Sequence, residues 1–102
     1  MPVLKLKSQH SLSSPDEATA RIKKRIAEEV EKQAQYVTDL KETVVHPNQS
    51  EYSCKVYGFN LSGHFHSTEN EVAVEVNLPF AAIAVKGMIE SQLQDALNQT
   101  LR

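Results

Sequence analysis

Residues 71–78, EVAVEVNL, alternate without a fault: Val72, Val74, Val76 and Leu78 are interleaved with Glu71, Ala73, Glu75 and Asn77. A period of two belongs to a β-strand, whose successive side chains point to opposite faces. One face of this strand is then buried and the other wet, and a strand paired beside it must divide its side chains the same way. YSCKVYG and GHFHS come just before, with only short connections between them, so the three read as an antiparallel meander.

Register follows from where the turns fall. If Gly58 and Gly63 close a hairpin around FNLS, Val56 lies opposite Phe65, Cys54 opposite Ser67 and Tyr57 opposite His64. If Ser67–Asn70 is the next turn, Phe65 lies opposite Val72, His66 opposite Glu71 and His64 opposite Ala73. Both pairings gather Tyr52, Cys54, Val56, Phe65, Val72, Val74 and Val76 on one face. Ser53, Lys55, Tyr57, His64, His66, Glu71 and Glu75 fall on the other.

The remaining segments complete an α+β order. VLKLK alternates and makes a first strand with Leu4 and Leu6 inward. Ser14 is an N-cap, Pro15 suits the first helical position and Glu17 closes a capping box. The helix so begun is expected to run to about Tyr36, with Ala18, Ile22, Ile26, Val30 and Ala34 in one apolar stripe. VTDLKETVVH reads as a strand of poor alternation, and HPNQSE as a turn. From Pro79 the spacing is helical: Val85, Ile89, Leu93, Ala96, Leu97 and Leu101 share a face, with Gly87 marking a bend or a close approach to the sheet. The prediction is a single domain over residues 1–102 in the order β-α-β-β-β-β-α. Its architecture is two-layer, a curved antiparallel sheet with two helices on one face.

Composition bounds the function. The 102 residues make one small core, which is expected to be close-packed with no deep cavity. Net charge is −2, so no overall field draws nucleic acid or an anionic membrane. The basic run RIKKR, Arg21–Arg25, wraps around its helix among acidic neighbours and reads as a solvated surface; no nucleic-acid partner is expected. Cys54 is the sole cysteine, which leaves no internal disulfide. The N-terminus lacks the apolar stretch of a signal peptide, and the longest apolar run, Leu78–Val85, is far short of the ~20 residues of a transmembrane helix. A soluble cytoplasmic protein is the expectation.

Few residues invite chemistry. His64 and His66, with Glu71 opposite, could supply imidazole and carboxylate ligands to zinc. They lie on the wet face, though, where solvated strand residues with a weak His66–Glu71 attraction are the plainer reading. Cys54 faces the core, away from both histidines, and behaves there as a small apolar side chain. His10, in QHSL, suits a loop hydrogen bond. There is no glycine-rich phosphate loop and no Ser-His-Asp context, so neither catalytic residues nor a cofactor are assigned, and a non-enzymatic protein is expected.

The segment LPFAAIAVKGMI is apolar on every side rather than along one stripe. Either it is buried where sheet meets helix, or Phe80, Ile83, Val85 and Met88 form an apolar contact with a partner, a second copy of the chain or an apolar surface. A homodimer through an exposed edge strand fits the same reading.

Several motifs, in order, carry a family resemblance: HSL at His10–Leu12, the Glu17–Ala18 pair opening the long helix, YGFNLSG ending at Gly63, VAVEVNLPF, and the closing KGMIESQLQDAL. The whole chain resembles the polyhydroxyalkanoic acid system family, also called the polyhydroxyalkanoate granule region family. It departs from the family pattern at VVHPNQSEY, where a tryptophan and a Gly-Asp turn are usual, and at Leu78–Phe80, where the usual form is LGF. The resemblance implies a small α+β domain with a curved antiparallel sheet around a long helix. It also implies association with polyhydroxyalkanoate storage granules, through the polymer surface or a granule protein, and it brings no catalytic residues. A small hydrophobic-ligand domain holding an acyl chain between sheet and helix is the alternative, and it requires a cavity.

Overall fold

The computed structural model describes residues 3–102. Five strands, β1 (Val3–Gln9), β2 (Val37–His46), β3 (Gln49–Val56), β4 (Phe59–Ser67) and β5 (Glu71–Asn77), form one antiparallel sheet in the order β1-β5-β4-β3-β2. Helix α1 (Pro15–Lys32) and helix α2 (Lys86–Thr100) both pack on the face that carries Leu6, Phe65 and Val72. The α+β order read from the sequence is the order found.

The strand phase is as expected, but both registers differ. Tyr57 and Gly58, at φ +52° and +81°, form a two-residue turn, so Val56 pairs with Phe59 and Ser50 with Phe65. The type I′ geometry matches the twist of the flanking strands, which a looser FNLS loop would not. On the other side Phe65 pairs with Val74 and Ser67 with Val72. Both corrections are by an even number of residues. Every side chain therefore keeps its face, while the cross-strand partners change: His64 lies opposite Glu75, and His66 opposite Ala73 rather than Glu71.

The N-terminus of α1 is capped by Ser14, whose Oγ accepts the Glu17 N–H at 3.2 Å. The Glu17 carboxylate reaches one residue further back than a capping box requires, accepting from the Ser13 N–H at 3.0 Å and the Ser13 hydroxyl at 2.7 Å. Those bonds, with Arg21 nearby, hold its carboxyl below the usual range. The helix stops at Lys32, a turn earlier than its composition suggests. Tyr36 is needed elsewhere: its carbonyl accepts the Tyr57 N–H at 3.0 Å and its ring lies 4.6 Å from that of Tyr57. This tertiary pairing overrides a weak helical preference.

β2 is the exposed edge, and its poor alternation has a cause. The pairing with β3 slips between Thr38 and Lys41, where Asp39 takes φ +55°. An extra residue of this kind bends an edge strand away from further pairing.

The core lies at one end of the molecule. Leu6, Ala18, Ile22, Phe65, Val72, Leu97 and Leu101 are buried together there. α2 is fastened over β1 by Ser8, which donates to Asn98 Oδ1 at 2.8 Å, and by Gln94, which donates to the Lys7 carbonyl at 2.9 Å. α1 is fastened to the β2–β3 turn by Thr19, which donates to Asn48 Oδ1 at 2.8 Å. His10 closes this end. Its Nε2 lies 2.9 Å from the Thr68 carbonyl and its Nδ1 accepts the Leu12 N–H at 3.2 Å. Since a carbonyl only accepts, Nε2 donates to it, and both ring nitrogens are used.

Candidate functional site

The other end is not close-packed. Between the sheet and the second half of α1 runs an open apolar groove of about 480 Å³, within the ~300–1,000 Å³ of small-molecule sites. Its floor comes from alternate inward residues of three strands: Cys54 and Val56, Leu61 and Gly63, Val74 and Val76. Ile26 and Val30 roof it, Val37 and Leu40 bound it toward β2, and Leu93 and Ala96 bound it on α2. Leu6, Ile22, Phe65 and Leu97 close it at the core. The expectation of a close-packed interior is thus corrected. The reason lies in side-chain size: apart from Tyr52 and Phe65 the floor carries only valines, one leucine, a cysteine and a glycine, too little volume to meet the helices.

Gly63 is required here for a specific reason. A Cβ built on it would lie 2.7 Å from the Glu75 carbonyl oxygen, so β4 and β5 approach more closely than any side chain at this position would allow.

The charged groups on the groove's lip are few. Arg25 and Glu29, one turn apart on α1, line it, and Arg25 Nε donates to Glu29 Oε1 at 2.9 Å. Arg25 is about a third exposed. The rest of the basic run is spent on ion pairs: Arg21 with Glu17 at 3.5 Å and Lys23 with Glu42 at 3.8 Å, leaving Lys24 on the outer surface. Glu42 also accepts a hydrogen bond from the Tyr52 hydroxyl. Burial and that carboxylate together push the Tyr52 pKa well above the tyrosine value. Cys54 lies on the groove floor opposite Leu61, half-buried, and burial raises its thiol pKa. A thiol so placed is a poor nucleophile.

On the outer face His64 Nε2 lies 2.9 Å from Glu75 Oε2. His66 is exposed opposite Ala73, and Glu71 stands beside Lys7 at 3.9 Å. The three residues weighed as zinc ligands are therefore not brought together, and among the described residues no group of three or more metal-ligating side chains occurs. A polar hollow borders His64, with Ser53, Ser62 and Asn77 around it. Ser62 is engaged by the Asn77 amide at 3.2 Å.

Phe80–Val85 form a 3₁₀ helix before α2. The burial weighed for this segment does not occur: Phe80 is 68% exposed, Met88 57%, Ile83 52% and Val85 43%. β5 ends at Asn77, opposite Ser62 near the start of β4, so this segment leaves the sheet at the same end as the Tyr57–Gly58 turn and the open part of the groove. Sequence reasoning named the exposed segment but missed the groove. The signal was present in the small inward residues Cys54, Val56, Gly63, Val74 and Val76, which accompany two large ones, Tyr52 and Phe65.

The family model described as "Putative polyhydroxyalkanoic acid system protein" matches residues 4–101. The chain belongs to that family. No curated protein matches the sequence. Among solved structures, the crystal structure of TTHA0849 from Thermus thermophilus aligns with 98% of this chain and 94% of its own, at 11% identity and a TM-score of 0.38. At that distance it informs neither site nor function. Among the described residues no helix is long and apolar enough to cross a membrane.

Proposed function

We propose that this member of the polyhydroxyalkanoic acid system family is a non-enzymatic binding protein whose groove holds an aliphatic acyl chain. The observation that carries the reading is the groove itself, roofed by α1 and floored by Val56, Leu61, Val74 and Val76. Each methylene moved from water into such a site contributes about 0.8 kcal/mol, so a short alkyl chain suffices for measurable affinity. Binding without catalysis is supported by the chemistry of the lining, where burial raises the Cys54 thiol pKa. Decanoic acid titrated into labelled protein is expected to shift the methyl resonances of Leu61, Val74, Val76 and Leu93. Ala96→Phe, which fills the groove from α2, is expected to abolish those shifts while the protein stays folded. Groove methyls unmoved by the probe would remove the reading.

A second reading is favoured by the exposed Phe80, Ile83, Val85 and Met88 and by the family's link to polyhydroxyalkanoate: association with the granule surface, or a granule protein, through this apolar segment. Four exposed apolar side chains so close together are an unusual surface for a solitary small domain. Phe80→Glu with Ile83→Glu is expected to abolish co-sedimentation with granules, and pelleting unchanged by the double substitution would end that idea. The two readings are compatible, because segment and groove mouth share one end of the molecule.

A further inference from the structure

The groove has an apolar length and one arginine in its lining, and the two together define its ligand more narrowly. Arg25, on α1, lines the groove together with Ala96 and Thr100 of α2. Its Nε is held by Glu29 one turn on, which fixes the guanidinium against the helix. Among the described residues its terminal nitrogens have no hydrogen-bond partner, so donors in a fixed fork remain at the edge of an apolar channel. The other cations of α1, Arg21, Lys23, Lys24 and Lys32, do not line the groove.

We propose that the groove recognises an anionic amphiphile, a carboxylic acid whose alkyl chain lies along Val74, Val76 and Leu61 and whose carboxylate is taken by the Arg25 terminal nitrogens. The inference rests on the acyl-chain reading above and adds the head group to it. Charge complementarity supports it. A carboxylate ionises near pH 4 and is an anion at neutral pH; a guanidinium binds its two oxygens in a planar fork. Glu29 competes for the same cation but is committed through Nε, and it also lies 3.7 Å from Lys32, which offsets its charge. The Arg25–Glu29 pair thus positions the head-group site.

Decanoic acid and methyl decanoate, equal in chain and different in charge, decide the matter by calorimetry and methyl shifts on the full chain. The native protein is expected to bind the acid about tenfold more tightly than the ester, the worth of one charge-assisted contact. Arg25→Gln is expected to lose that tenfold for the acid and leave the ester unchanged. Arg25→Lys is expected to restore part of it, and Lys24→Gln, on the outer surface, to change neither. Circular dichroism confirms that each variant is folded. Equal binding of acid and ester, or full affinity for the acid in Arg25→Gln, would overturn the head-group assignment while leaving the acyl-chain reading intact. Failure of both probes to move the groove methyls would overturn the two together.

Discussion

Replacement of Gly63 by alanine tests the sheet at its tightest point. The added methyl would stand 2.7 Å from the Glu75 carbonyl oxygen and 3.4 Å from Val76 Cα, whereas ordinary contact begins at 3.4 Å. The first distance is short by about 0.7 Å (3.4 minus 2.7), and the crowding atom is backbone. β5 cannot swing aside to relieve it, because its other edge is paired with β1 from Val3↔Asn77 to Gln9↔Glu71. The strain must be taken up by lengthening the β4–β5 hydrogen bonds around Gly63↔Val76. Overpacking of this kind costs about 1–3 kcal/mol. In a domain of this size that lowers Tm by roughly 5–20 °C. Gly87→Ala is the matched control: nothing lies within 4 Å of its Cβ, and an alanine in the first turn of α2 should add up to about 0.5 kcal/mol by restricting the unfolded chain. Thermal unfolding of the two variants, followed by circular dichroism, should move Tm in opposite directions. An unchanged Tm for Gly63→Ala would mean that Gly63 does not face Val76 at this spacing, and the register of β4 on β5 would be wrong.

Two further expectations concern single polar groups. His10→Phe keeps an aromatic ring but leaves the Leu12 N–H and the Thr68 carbonyl without their partner at a buried position, which should cost about 1–3 kcal/mol in urea unfolding; a variant as stable as the parent would refute the clamp. Tyr52, whose pKa is raised by burial and by Glu42, binds its proton more tightly in the folded protein than in the unfolded chain. Its contribution is thus fully present below about pH 10 and is lost as pH rises beyond the ordinary tyrosine range. Unfolding curves taken from about pH 9 upward should show the parent losing stability faster than Tyr52→Phe, and parallel losses would disprove it.

Parity made the faces of the sheet readable from sequence. Burial of one face penalises any odd slip of register but is blind to an even one, so the side to which His64 or Phe65 points was legible while its partner was not. The missing information was the turn. Tyr57 adopts a left-handed backbone that asparagine or glycine normally supplies, and nothing in YGFNLSG advertises a tyrosine in that role. The early end of α1 was hidden for a similar reason, since the Tyr36–Tyr57 contact joins residues remote in sequence and has no local signature. The groove was hidden because pattern marks which positions face inward and not how far apart the two layers stand.

That separation follows from an imbalance of volume along the sheet. At the core end Leu6, Phe65, Ile22, Leu97 and Leu101 meet across the two layers and are buried. Beside Phe65 the next inward positions are Gly63, Val74, Val76, Val56 and Cys54, and Val30, Ala96 and Leu93 on the helices stay half-exposed. A sequence selected only for stability would place larger side chains there, because each buried methylene adds about 0.8 kcal/mol. The clamps that hold the core end, Thr19 to Asn48, Ser8 to Asn98 and His10 to Thr68, keep the helices from collapsing onto the small floor. Helices anchored at one end over side chains too small to fill the other leave an apolar channel open, and stability withheld in that way is the usual mark of a place kept for a ligand.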